Sequence, residues 1–133
     1  MTYLLDTNIC IYALKNRPSI VLDRLRTVGM AAVALSVITV LELRQGAEKS
    51  QQRAANHERL DFFLAPMKIL TFDEEAALVG ARLRANLERQ GTPIGDYDSL
   101  IAAQALARDL ILVTNNVREF ERVPGLQIEN WTH

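Results

Sequence analysis

Tyr3-Leu4-Leu5-Asp6-Thr7-Asn8 decides how this chain is read, because three apolar residues end abruptly in a carboxylate. An apolar run that short, closed by a polar residue, reads as a buried strand. The pattern recurs at Ala31 to Leu35, Met67 to Leu70 and Leu110 to Val113, and after the Val123-Pro124-Gly125 turn Leu126 to Ile128 reads as an edge strand. Helical stretches lie between these runs. The first covers about Asn8 to Lys15, and the second opens at Pro18, carries Ile20, Val21, Leu25 and Val28 at helical spacing and stops at Gly29. A third is capped by Ser36 and runs to about Lys49, and a fourth covers Gln51 to Leu64 before Pro66. Thr71 with Glu74 reads as a capping box for a helix to Gln90, and Asp96 reads as the cap of a helix from Tyr97 to Arg108. Strands alternating with helices predict a three-layer α/β fold around a mainly parallel sheet of about four to five strands. No repeat or linker interrupts it, so residues 1–133 are expected to form a single domain.

The composition narrows the function classes. A hydrophobic fraction of 49% with 23% charged residues is that of a globular protein and argues against disorder. The lone Cys10 cannot form an internal disulfide, which fits a reducing compartment and predicts a cytoplasmic protein. The longest apolar run, Met30 to Leu41, contains Ser36 and Thr39 and is too short to cross a bilayer. Of the 15 cations all but Lys15, Lys49 and Lys68 are arginine, a choice compatible with bidentate phosphate contacts and equally with helix-surface pairing.

In folds of this class polar ligands bind outside the carboxyl ends of the strands. Asp6 stands there, where it reads equally as a helix cap or a metal ligand. Asp98 lies in the first turn of its helix, where the helix dipole also favours an acid. Glu42 interrupts Val37-Ile38-Thr39-Val40-Leu41-Glu42-Leu43 and needs a partner, a metal or a route to water. A polar stripe of Thr39, Glu42, Gln45 and Lys49 offers that route. Asn116 follows the Leu110 to Val113 strand in Thr114-Asn115-Asn116, ordinary turn residues, with Glu119 just beyond. His57, His133 and Cys10 make neither a zinc constellation nor a catalytic triad, and no phosphate loop follows Gly91 or Gly95. Oxygen ligands alone point to Mg²⁺, with Mn²⁺ as a substitute.

Four segments then carry a resemblance. Tyr3 to Asn8, Glu42 in its apolar helix, Ile94-Gly95-Asp96-Tyr97-Asp98-Ser99 with the Leu-Ile-Ala-Ala that follows, and Val113-Thr114-Asn115-Asn116-Val117-Arg118-Glu119-Phe120 together resemble the PIN-domain ribonucleases. The ending Arg122 to Trp131 is similar to the VapC branch, toxins of type II toxin–antitoxin pairs. The likeness spans nearly the whole chain. It implies a Rossmann-like sheet and an Mg²⁺-dependent endoribonuclease, with Asp6 and Asp98 as metal ligands and Glu42 and Asn116 completing the catalytic group. Asn116 stands where many family members carry an acid, which removes a charge from the site. Expected partners are an RNA substrate, a cognate antitoxin whose C-terminal segment covers the acidic site, and a second copy of the chain in a homodimer. Arg44, Arg82, Arg84 and Arg118 are candidates for holding the RNA backbone. The competing reading is a non-catalytic module of the same fold that docks a protein or nucleic acid.

Overall fold

Leu4 and Leu5, neighbours in sequence, belong to two different hydrophobic cores. Successive strand side chains point to opposite faces, so this one pair shows that the sheet is covered on both sides. The computed structural model describes residues Met1–His133. Its sheet contains β1 (Tyr3–Leu5), β2 (Val33–Ser36), β3 (Lys68–Leu70), β4 (Ile111–Val113) and β5 (Ile128–Glu129) in the order β3-β2-β1-β4-β5. Every pairing is parallel, and Leu4 registers with Ala34 on one side and Leu112 on the other. The expected mainly parallel sheet of four to five strands is therefore found, with all five strands parallel.

The helices are α1 (Thr7–Lys15), α2 (Ser19–Val28), α3 (Val37–Lys49), α4 (Arg53–Leu64), α5 (Glu74–Arg89), α6 (Asp96–Arg108) and α7 (Val117–Phe120). Ile9, Val21, Leu25 and Leu60 join Leu5, Val33, Leu35 and Val113 in one core, which places α1, α2 and α4 on that face. Leu83, Leu87, Ile101 and Ala105 join Leu4, Ala34 and Leu112 in the other, under α5 and α6. At the chain end the buried Trp131 meets Tyr3 edge-on at 5.2 Å and lies under the Arg24 guanidinium at 5.5 Å. No helix is long and apolar enough to cross a membrane.

Several local expectations are corrected. Met30–Ala32 is a short 3₁₀ turn, so β2 begins at Val33 and not at Ala31. The Thr71–Glu74 capping box does not form: Asp73 is the N-cap of α5, its carboxylate accepting from the Ala76 N–H at 2.9 Å. Asp satisfies the first-turn donors as well as Thr does, and its position sets the helix start two residues later. Asp96 is not a cap either, since α6 starts at Asp96 behind Gly95 and its carboxylate pairs with Arg84 at 2.9 Å. Ser36 caps α3 as expected, accepting from the Ile38 N–H at 2.9 Å.

Strand order fixes where a site can form. From β1 the chain moves outward through β2 to β3, then returns past β1 to β4 and β5. The order reverses between β1 and β4, and a crevice opens beyond their carboxyl ends.

Candidate active site

Asp6 leaves β1 at this reversal and begins α1. Its backbone N–H donates to the Val113 carbonyl of β4 at 3.0 Å, so it is fixed at the mouth of the crevice. One carboxylate oxygen accepts from the Ile9 N–H at 2.9 Å, so Asp6 caps α1 from a position at the crevice, and the cap and ligand readings are not exclusive. Asp6 is only 4% exposed. Burial raises its pKa from 3.8 to about 6 against opposing hydrogen bonds from the Thr114 side chain and the Ile9 and Asn8 amides, and Glu42's charge adds to the rise.

Glu42 is held from α1. Thr7 Oγ1 donates to Glu42 Oε1 at 2.7 Å and lies 3.2 Å from the Thr39 hydroxyl. Thr39 is completely buried, so the polar stripe starts inside the protein and is exposed only at Gln45 and Lys49. Glu42 sits at the junction, half-buried, facing the crevice.

Asp98 comes from the first turn of α6, and the loop before it is braced on three sides. Arg84 on α5 donates to Asp96 Oδ1 at 2.9 Å and to Ser99 Oγ at 2.6 Å, holding the residues that flank Asp98. Arg122 donates to the Pro93 carbonyl at 2.9 Å. Glu119 on α7 accepts from the Gly95 N–H at 2.8 Å and from Asn116 Nδ2 at 2.6 Å. A Cβ on Gly95 would stand 3.3 Å from Asp98 Oδ2 and 3.5 Å from Glu119 Oε1, so the glycine lets two carboxylates approach the loop. Burial first, then Glu119 through its charge and a hydrogen bond, raise Asp98 from 3.8 to about 7, with smaller contributions from Asp6 and Glu42.

The fold therefore brings Asp6, Glu42, Asp98 and Asn116 to one crevice, and adds Glu119. The sequence offered one signal for Glu119, its place three residues after Asn116 in a segment beyond a strand end. Thr7 carries no sequence signal beyond following Asp6, and Thr114 none beyond opening the Thr114-Asn115-Asn116 turn. Two of the arginines expected at an RNA-binding rim are engaged internally: Arg84 as above, and Arg44 with Asp61 at 2.6 Å and the His57 carbonyl at 3.1 Å. Arg82 and Arg118 are exposed and make no ion pair. Cys10 lies buried beneath the site, its thiol pushed up by burial and by Asp6, which suits packing and not nucleophilic chemistry.

The donor set fits a hard divalent cation. All side chains are oxygen donors, and two of them lose their charge easily unless a cation compensates it. No three acidic, histidine or cysteine side chains converge closely enough to chelate an ion unaided. Mg²⁺ typically takes one or two carboxylates and keeps several waters, which suits Asp6 and Asp98 beside an open pocket of about 480 Å³ that Asp98 lines with Glu42 and Asp96.

Comparison with known proteins agrees with this architecture. The PIN domain model matches residues 3–126. The tRNA(fMet)-specific endonuclease VapC of Salmonella typhimurium is 42% identical over 131 residues, 98% of each chain. Ribonuclease VapC2 of Rickettsia felis is 40% identical over 132 residues, again 98% of each. The crystal structure of DNA-bound VapBC from Salmonella typhimurium superposes with a TM-score of 0.93 at 42% identity, covering 98% of both chains. With the matched model, near-complete coverage and the same sheet, the chain belongs to the PIN-domain family, in its VapC branch.

Proposed function

We propose that this chain is the endoribonuclease toxin of a type II toxin–antitoxin pair, and that Asp6 and Asp98 hold the divalent cation its chemistry requires. The observation that carries this reading is the pair of carboxylates raised to about 6 and about 7 in one crevice with Glu42 and Glu119. Acids whose charge is penalised together in a cleft are candidates for a functional site. Mg²⁺, when bound, would neutralise phosphate charge and make water acidic enough to attack. The chain's own residues do the rest. Asp6 is aimed by the Ile9 N–H, Glu42 by Thr7, and Asp98 by the braced loop, so the three carboxylates are oriented before any ligand arrives. Asn116 donates to Glu119 and keeps that carboxylate on the Gly95 amide. In-line attack by water leaves a 5′-phosphate and a 3′-hydroxyl. The relative's named substrate, tRNA(fMet), is the first RNA to test.

The antitoxin has a surface to occupy. A groove of about 330 Å³ runs along α1, α3 and α4, with Ile11, Leu14, Leu43 and Leu60 among its walls, and Glu42 lines both this groove and the acidic pocket. An amphipathic segment laid in it would place a basic side chain at the acids. A homodimer is part of the proposal, and exposed Val37 and Leu41 on α3 supply an apolar face for it. The test is an incubation with purified tRNA. Mg²⁺ or Mn²⁺ supports cleavage, EDTA abolishes it, and mapped ends carry 5′-phosphates; full activity in chelator would end the metal-dependent mechanism.

A further inference from the structure

The acidic pocket has five lining residues: Glu42, Gly95, Asp96, Tyr97 and Asp98. Four of them follow one another along the start of α6, and Tyr97 is the one aromatic. It is 42% exposed, whereas Ile101, the next large side chain buried on the same helix, is fully covered. An aromatic left in the open at the mouth of a polar pocket has an unsatisfied apolar face.

The electrostatics of this rim restrict what can meet that face. Glu42, Asp96 and Asp98 contribute three carboxylates, no cationic side chain lines the pocket, and Arg84 beside it is already bonded to Asp96 and Ser99. A phosphate backbone running along this edge is repelled except where a cation stands between phosphate and carboxylate. A strand held at that single phosphate needs a neutral contact for its next nucleotide, and a ring face provides one that every base can stack on. Tyr97 and Asp98 line the same pocket, so a base over the ring belongs to a nucleotide close to the phosphate that Asp98 would serve.

Resting on the ribonuclease reading, we propose that Tyr97 is the stacking platform for an unpaired base next to the scissile phosphate, which makes an unstacked loop nucleotide a requirement of cleavage. A base inside a duplex is already stacked on both sides and cannot use the platform. The site thereby selects single-stranded segments within structured RNA.

The experiment uses an RNA stem-loop that the wild-type chain cuts at one mapped position. It is resynthesised with an abasic nucleotide on either side of the cut, and separately with 2-aminopurine at the same places. Tyr97→Ala is expected to raise KM by about ten- to a hundredfold on the intact RNA, and Tyr97→Phe to stay within about twofold of wild type. The abasic RNA should lower wild-type cleavage to the Tyr97→Ala level and leave Tyr97→Ala itself unchanged. Stopped-flow quenching of 2-aminopurine before cleavage should be present in wild type and Tyr97→Phe and absent in Tyr97→Ala. Equal losses for wild type and Tyr97→Ala on abasic RNA would overturn the proposal, as would a Tyr97→Ala defect accompanied by an altered sedimentation coefficient, which would assign the ring to contact between copies. Absence of cleavage by the wild-type chain would fell the ribonuclease reading and this inference with it. Intact wild-type cleavage with an unaffected Tyr97→Ala would fell the inference alone.

Discussion

Asp6 and Asp98 are each held where their negative charge is penalised. Asp6 caps α1 and is buried while doing so, and Asp98 sits beside Glu119. Both have folded pKa values above 3.8, so the native state binds protons more tightly than the unfolded chain. Their stabilising contribution is complete below about pH 3.8 and is lost as pH rises through about 6 and then about 7. Without divalent cation, the melting temperature should therefore fall between about pH 4 and pH 7, other groups being equal. For the buried Asp6 the shift corresponds to roughly 3 kcal/mol at most. Asp6→Asn keeps a good cap while removing the charge, so it should flatten this slope and abolish cleavage. Asp98→Asn should melt higher than wild type above pH 7 in EDTA and should not gain stability when Mg²⁺ is added. Calorimetry across that pH range checks both, and a melting temperature that rises with pH would contradict the account.

Among the elements, the loop before α6 was the least legible in sequence. Asp96 could be read only as a cap, because nothing in the order of residues shows that Arg84, on the preceding helix, reaches it. Glu119 was equally hidden, since α7 is four residues long, has no periodicity, and bonds to a glycine 24 positions away. The strands and the Ser36 cap were legible because their causes are local: apolar runs, and a hydroxyl beside a free amide. The buried Thr39 was misread for the opposite reason, since its partner Thr7 lies on another helix. These long-range braces yield a prediction. The Arg84–Asp96 pair is largely solvent-exposed, and such pairs contribute about 0–1 kcal/mol. Arg84→Met should therefore leave stability within about 1 kcal/mol while lowering kcat about tenfold, because Asp98 loses its orientation and not its fold. Steady-state kinetics beside a urea melt separate the two, and an unchanged kcat would reduce Arg84 to a surface residue.

For the whole molecule, the alternation of strands and helices was enough to place the crevice, because the reversal of strand order follows from the topology. It could not reveal the groove, which exists between three helices whose packing no single segment encodes. Gly46 on α3 shows how the groove is kept open: it lines the wall, and a Cβ there would meet nothing within 4 Å. A glycine inside a helix costs about 1 kcal/mol relative to alanine, so open space is maintained here against helix propensity. Gly46→Leu should therefore keep or raise the melting temperature and retain RNA cleavage. It should also abolish co-purification with the antitoxin when one chain carries the tag. Undiminished co-purification would place the partner elsewhere.

Glu42 belongs at once to the acidic pocket and to the apolar groove. With the antitoxin in that groove, as proposed, a substitution at Glu42 that loosened the inhibitor would also take a carboxylate from the proposed active site. Leu14, Gly46 and Leu60 line the groove without lining the acidic pocket, so they carry no such constraint. Under the same reading, related toxins can diverge there in which antitoxin they accept while the cutting chemistry stays the same.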